Sequence, residues 1–213
     1  MKRSKTARNL FDQRPRTTVS FNSRLLQEAI GNAERKGIWL IYGAEKNGKT
    51  WFTLQLARDL ASTEVRKVAY ISAEEGTDES FRLACTRAGI TPDTRILFDD
   101  YLTVEEIIEK FSRPRTPDVI FIDNLLVYAD ELKGLALRDL SETLPNKLLI
   151  CVGHEERKLP FPASARMAKK IAKVYVHIQG LKAFVVSRFA PQRGEITINE
   201  DLSEMYWGAE PLR

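Results

Sequence analysis

Cysteine and histidine are scarce in this chain, with two of each among 213 residues. Such a set cannot supply the Cys-rich ligands of a zinc ribbon. Cys85 and Cys151 both lie inside apolar segments, so they read as small buried residues kept reduced rather than as a disulfide. Long apolar runs are missing too. None approaches the ~18 residues of a membrane span, and the basic amino terminus lacks the apolar stretch of a secretory signal. A cytoplasmic protein without membrane contact is expected. No internal repeat, low-complexity tract or long linker interrupts the chain, which argues for one domain. The remaining composition, 43% hydrophobic and 29% charged, is that of an ordinary globule large enough to bury a core.

A strong excess of one charge is also lacking, since the formal net charge is only +4. Its distribution is uneven. Residues 1–16 carry Lys2, Arg3, Lys5, Arg8, Arg14 and Arg16 against Asp12 alone. Residues 1–20 therefore read as a basic arm, or equally as a solvated and partly disordered tail, ahead of a single domain spanning 21–213. A second cluster comprises Arg157, Lys158, Arg166, Lys169, Lys170 and Lys173. Both clusters suit a polyanion, although a Lys-rich helix is commonly just a solvated face.

Against this plain background, Gly43-Ala44-Glu45-Lys46-Asn47-Gly48-Lys49-Thr50 is a complete G-x-x-x-x-G-K-T phosphate loop. The apolar run Ile38–Tyr42 before it reads as a buried strand, and Thr50 to Ala61 after it has apolar residues at helical spacing. Glycines let backbone N–H groups curl around a polyphosphate without a Cβ clash. The helix N-terminus adds partial positive charge and free donors. Lys49 can reach the β- and γ-phosphates, and the Thr50 hydroxyl can hold Mg²⁺. Residues 43–50 and the adjacent Trp51 are the candidate ATP contacts.

Beyond the loop, strand and helix patterns alternate with short breaks. Strands are expected at Lys67–Ser72, Arg95–Phe98, Val119–Ile122 and Lys147–Val152. Helices are expected at Asp78–Ala88, from the Thr103–Glu106 capping box to Phe111, at Asp130–Leu140, and at Ala163–Ala172. Val174–Ile178, Ala183–Val186 and Glu195–Ile198 then read as three strands joined by tight turns. The expected fold class is α/β: a mostly parallel central sheet with helices on both faces and an antiparallel C-terminal extension.

Carboxylates stand where a phosphate loop needs them. Val119-Ile-Phe-Ile-Asp123 is a hydrophobic strand ending in an aspartate, able to hold the Mg²⁺ shell through water at the carboxyl end of the sheet. Glu74 and Glu75 follow the next strand after the phosphate-loop helix. Glu74 is the candidate to orient and polarise the water that attacks the γ-phosphate; Glu75 is an alternative, or a cap for the helix at Asp78. His154 ends the strand after Asp123, in a position to sense the γ-phosphate.

Together these segments resemble the RecA-type ATPases, most specifically the ATPase core of bacterial RadA/Sms, with hexameric DnaB-type and plasmid RepA-type helicases nearer than RecA itself. The resemblance covers about Gly37 to Glu200. Tyr70-Ile-Ser-Ala-Glu-Glu75 is similar to the family's Y-V-S-G-E-E. Val152-Gly-His-Glu-Glu-Arg157 resembles its G-H-V-T-K segment, with Arg157 in the lysine's place. Val186-Ser-Arg188-Phe-Ala-Pro191, followed by Gly194-Glu-Ile196, resembles the K-N-R-F-G signature and the strand after it. The resemblance implies a RecA fold that self-assembles into a ring or filament, a hexamer being the expected ring, with ATP at subunit interfaces. Arg188 then acts in trans as an arginine finger. The segment from His154 to the basic helix, with Arg157, Lys158, Arg166, Lys169 and Lys170, then faces single-stranded DNA.

Departures narrow this. Val186 replaces the signature lysine, and neither the zinc ribbon nor the Lon-like domain of RadA is seen, which suggests a stripped-down ATPase. The leading expectation is a DNA-stimulated ATPase, a motor or loader in recombination or replication. The alternative is a slow ATP-gated adaptor. A P-loop small-molecule kinase is disfavoured, because no Arg-rich lid segment is present.

Overall fold

Near-continuous apolar runs build strands that must be covered on both faces. The computed structural model describes residues 4, 6–12, 17–63, 67–134 and 136–208; Lys2, Arg3, Lys5, Arg14 and Arg16 of the basic arm lie outside them. In chain order the strands are β1 (Gly37–Gly43), β2 (Val68–Ser72), β3 (Ile96–Asp99), β4 (Val119–Asp123), β5 (Leu148–Glu156), β6 (Leu159–Phe161), β7 (Val174–Gln179), β8 (Lys182–Ser187) and β9 (Gly194–Thr197). They form one sheet of order β3-β2-β4-β5-β1-β7-β8-β9, with β6 paired to β5. From β3 to β7 all neighbours are parallel; β8, β9 and β6 pair antiparallel. This is the expected mixed sheet.

The helices are α1 (Ala7–Phe11), α2 (Arg24–Ile30), α3 (Lys49–Ser62), α4 (Glu79–Arg87), α5 (Val104–Ser112), α6 (Ala136–Thr143), α7 (Ala163–Ile171) and α8 (Glu200–Trp207). Strand periodicity divides the core in two. Trp39 and Ile41 pack with α2, α3 and α4 on one face, whereas Ile38, Leu40 and Tyr42 pack with α5, α6 and α7 on the other. Cys85 and Cys151 are buried as expected, and burial pushes their thiols up to about 11 and about 12.

Several elements differ from the sequence reading. The helix expected from Asp130 starts only at Ala136, because Gly134 sits at φ 60° and the preceding residues form turns. β5 runs on past Val152 to Glu156 and returns through β6, with Arg157 (φ 51°) and Lys158 (φ 63°) making the two-residue turn. Its polar end hid it from a search for apolar runs. Helices α2 and α8 are short and capped by Ser23 and Asn199, whose side chains accept from Leu26 N–H and Leu202 N–H.

One glycine sets how closely a helix approaches the sheet. A Cβ on Gly153 would lie 2.9 Å from the Ala165 Cβ of α7 and 3.3 Å from the Phe161 carbonyl. Gly153→Ala is therefore expected to push α7 off β5 and lower the unfolding free energy by about 1–3 kcal/mol. Urea unfolding checks this, and an unchanged midpoint would mean that α7 is not seated on the sheet at this point.

Candidate functional site

The parallel register delivers Gly43, Ser72, Asp123 and His154 to one edge of the sheet, at the carboxyl ends of β1, β2, β4 and β5. Ligand sites of open α/β sheets form outside that edge. The phosphate loop leaves β1 there and enters α3 with Lys46 at φ 58° and Gly48 at φ 96°. Its shape is held from outside. Gly180 N–H donates to Asn47 Oδ1 (2.7 Å), Leu181 N–H donates to the Asn47 carbonyl (3.3 Å), and Asn47 Nδ2 donates to the Glu45 carbonyl (2.9 Å). The positive φ of Gly48 favours glycine, and the β7–β8 turn closes over it, with Leu181 Cδ1 2.7 Å from where a Cβ would lie.

Lys49 folds back so that its ammonium donates to the Ala44 carbonyl (2.8 Å). Burial lowers its pKa; the carboxylates of Asp123, Glu74, Glu45 and Glu155 oppose that shift. Thr50 and Trp51 line a cleft of about 510 Å³ with Glu75, Arg87, Leu181 and Leu202, a volume in the range of small-molecule and cofactor sites. The Arg87 guanidinium lies 5.6 Å from the centre of the Trp51 ring.

Asp123 sits beneath the loop. Burial pushes its carboxyl up to about 6, with Glu75 and Glu74 adding to the rise and the Tyr70 hydrogen bond and Lys49 opposing it. The Tyr70 hydroxyl donates to Asp123 Oδ2 at 2.5 Å and lies 3.0 Å from the Thr53 hydroxyl of α3. Burial, first of all, holds the Tyr70 hydroxyl well above its ordinary pKa, so it stays a donor. Beside Lys49, the Thr50 hydroxyl and the Asp123 carboxylate are hard oxygen donors of the kind that Mg²⁺ takes when it arrives with phosphates. Among the described residues, no group of three or more His, Cys, Asp or Glu side chains could hold a metal by itself.

Glu74 stands on the turn after β2, and a residue that the sequence reading missed holds it. Asn124 is buried at 2% exposure. Its Oδ1 accepts from Leu126 N–H (2.6 Å), which fixes which side of the amide is the donor. Its Nδ2 donates to Glu74 Oε2 and lies 3.0 Å from His154 Nε2. The two amide hydrogens thus serve Glu74 and His154, and His154 Nε2 is itself 3.6 Å from Glu74 Oε2. The one signal in the sequence was an amide directly after the strand-ending aspartate. Glu75 is exposed and lines the cleft; it does not cap α4, whose first turn is capped by Asp78 accepting from Phe81 N–H.

The remaining candidates lie apart. Arg188 is exposed just beyond β8, where its N–H donates to the Lys173 carbonyl ahead of β7. Val174 is level with Trp39 and Ile178 with Gly43. Arg188 is therefore about 13 Å or more from its own phosphate loop, at ~3.3 Å per residue. Arg157 and Lys158 are exposed at the tip of the β5–β6 hairpin, and Arg166 and Lys170 are exposed one turn apart on α7. Lys169 instead turns inward, donating to the Tyr42 hydroxyl at 2.6 Å.

The AAA domain family matches residues 25–130, which take in the phosphate loop, Glu74 and Asp123. A search of curated proteins returns no match. Among solved structures, the flagellar accessory protein FlaH from Methanocaldococcus jannaschii is similar with a TM-score of 0.63 at 16% identity, over 85% of this chain and 93% of that one. The ATPase domain of G40-P is similar with a TM-score of 0.55 at 15% identity, over 76% of this chain and 80% of that one. The shared fold is the RecA-like P-loop NTPase fold.

Tyr70 offers a test of the site's foundation. Tyr70→Phe removes the donor to a buried carboxylate, and is expected to lower the unfolding free energy by about 1–3 kcal/mol. Urea unfolding at neutral pH measures it; a stability equal to that of the parent would show that Asp123 does not depend on this hydroxyl.

Proposed function

We propose that the chain is an ATP-hydrolysing, RecA-type ATPase of the RadA/Sms kind that acts on single-stranded DNA as a motor or loader in recombination or replication. The observation that carries the ATPase reading is the meeting of Lys49, Asp123 and the Asn124-held Glu74 at one sheet edge. In this reading residues 43–51 take ATP. Backbone N–H groups of the loop and the α3 N-terminus bind the phosphates, and Lys49 turns from the Ala44 carbonyl to the β- and γ-phosphates. Thr50 and Asp123 hold Mg²⁺, which when bound neutralises charge on those phosphates.

Glu74 accepts a proton from the attacking water as its oxygen bonds to the γ-phosphorus and the bond to the ADP oxygen breaks. Asn124 fixes the carboxylate, and His154, sharing that amide, reports the state of the γ-phosphate to β5. Arg188 lies too far from its own loop to serve it. It suits a neighbour's γ-phosphate, as a ring or filament with shared sites requires, and a finger of this kind is worth about 10³–10⁵ in rate. Arg157, Lys158, Arg166 and Lys170, with Lys169 at their edge, form the DNA-facing set in a cytoplasmic protein. Val186, apolar where the family signature has lysine, favours a second reading, a slow ATP-gated adaptor.

Steady-state ATP hydrolysis with and without single-stranded DNA, at several protein concentrations, separates the readings, with Lys49→Ala as the blank. DNA stimulation that rises steeply with protein concentration supports the motor. A flat, slow, DNA-indifferent rate supports the adaptor. Glu74→Gln is expected to bind ATP but to hydrolyse it at least about 100-fold more slowly; normal turnover would move the role to Glu75. Arg188→Ala is expected to bind ATP and fail to hydrolyse it in the assembled state. Mixed with Lys49→Ala subunits it should regain activity, because those chains offer an intact finger to its intact pocket. If no activity returns while subunits exchange, the arginine does not act in trans.

A further inference from the structure

Among the described residues, the face of β7, β8 and β9 opposite α2 is only partly covered. On the α2 side Val174, Val176 and Ile178 of β7, Ala183 and Val185 of β8 and Ile196 of β9 enter the core. On the other side no residue of β8 or β9 joins the core that α5, α6 and α7 cover. What that face carries is aromatic. His177 is cross-strand from Phe184, and Tyr175 from Val186. Tyr42 stacks on His177 with ring centres 4.8 Å apart, and Phe184 lies 6.4 Å from His177. The row continues to Trp207, 6.3 Å from Phe184. A cleft of about 400 Å³, separate from the one beside the phosphate loop, opens among Tyr42, Tyr175, His177, Phe184, Lys169 and Arg193.

Two cations of this cleft lack a carboxylate partner among the described residues. Glu155 is hydrogen-bonded to His177 at 2.5 Å, and Glu195 pairs with Lys182 at 2.9 Å. Lys169 is half-buried between the Tyr42 and Tyr175 rings, with its ammonium 4.6 and 5.0 Å from their centres, and it donates to the Tyr42 hydroxyl. Among the described residues neither Lys169 nor Arg193 has a carboxylate partner. A partly buried cation without a counter-ion is unfavourable until an anion arrives. Aromatic platforms beside unpaired cations are what a base and its phosphate require, and an open sheet with aromatics on adjacent strands is one of the surfaces that stack single-stranded bases.

We infer that this cleft binds a nucleotide unit of a single-stranded nucleic acid, with a base stacked on Tyr175, His177 and Phe184 and a phosphate held by Lys169 and Arg193. The inference rests on the single-stranded DNA reading above and gives it a stacking surface that the hairpin tip and the α7 cations alone do not provide. Two residues at the cleft adjoin the phosphate-loop end of the sheet in sequence. Tyr42 immediately precedes Gly43, and Glu155 follows His154.

The test is anisotropy of a fluorescein-labelled oligothymidylate of about 15 nucleotides, within the site sizes of such surfaces, with the ATP cleft filled by saturating ADP. Tyr175→Leu and Phe184→Leu keep apolar bulk but remove the stacking ring, and each is expected to weaken binding at least about fivefold. Lys169→Gln is expected to reduce the slope of log affinity against log salt by about 1. Arg157→Ala/Lys158→Ala serves as the comparison, and thermal melting checks that each variant is folded. If the parent binds the oligonucleotide and the three cleft variants bind it equally well, the cleft is not the site, and the DNA reading stands without it. If the parent binds no oligonucleotide, the DNA reading falls and this inference with it. If dTMP binds saturably at the cleft but the oligonucleotide does not, the ligand is a free nucleotide and the strand assignment is overturned. If the cleft variants alter sedimentation rather than oligonucleotide binding, the face is a contact between copies of the chain and the inference is overturned.

Discussion

The hydrogen bond from the Tyr70 hydroxyl to the Asp123 carboxylate underlies the site. It joins β2 to β4 at the point where α3 begins, with the Thr53 hydroxyl 3.0 Å from the same phenol. A carboxylate at this depth would otherwise neutralise itself, because burial favours the protonated form. One charge-assisted donor, with the Lys49 ammonium nearby, offsets part of that penalty but not all, so the carboxyl remains raised to about 6. Glu75 and Glu74 at the same edge add to that rise, and Lys49 opposes it.

The phosphate loop is not a self-contained motif here. Asn47 is bound by Gly180, and the Gly180 carbonyl in turn accepts from the Trp207 indole at 3.0 Å. The β7–β8 turn, the loop and α8 are thereby one unit, and Leu202 of α8 lines the same cleft as Thr50. The antiparallel extension is thus part of the cleft beside the phosphate loop rather than an appendage. A nucleotide that reshaped the loop would act directly on β7, the strand that carries Tyr175 and His177.

Asn124 gives the other side of the site a similar economy. With its orientation set by Leu126 N–H, one amide serves both the carboxylate and the imidazole, so Glu74 and His154 are linked through it. Residues 154 and 155 point to opposite faces of β5, as strand neighbours must. His154 meets Asn124, and Glu155 meets His177 on the aromatic face.

Much of this was legible in the sequence, for physical reasons. A phosphate loop is contiguous, so its residues and their chemistry appear together in the chain. Strand periodicity placed β1, β2, β4 and the start of β5, and the loop's position after β1 put Asp123 and Glu74 at its edge of a parallel sheet. Helices α2 and α8 were too short for a periodic signal, and the polar end of β5 had none. The tertiary structure alone decided the contacts made across distance. Asn124 meets Glu74 across 50 residues, Lys169 meets Tyr42 across 127, and Asn47 meets Gly180 across 133. The register also put Arg188 at the far end of the sheet from its own loop, while its signature showed only that an arginine was present. A sequence states which groups exist and how neighbours alternate; which distant groups share a face depends on strand order, and that order is set only when the whole sheet assembles.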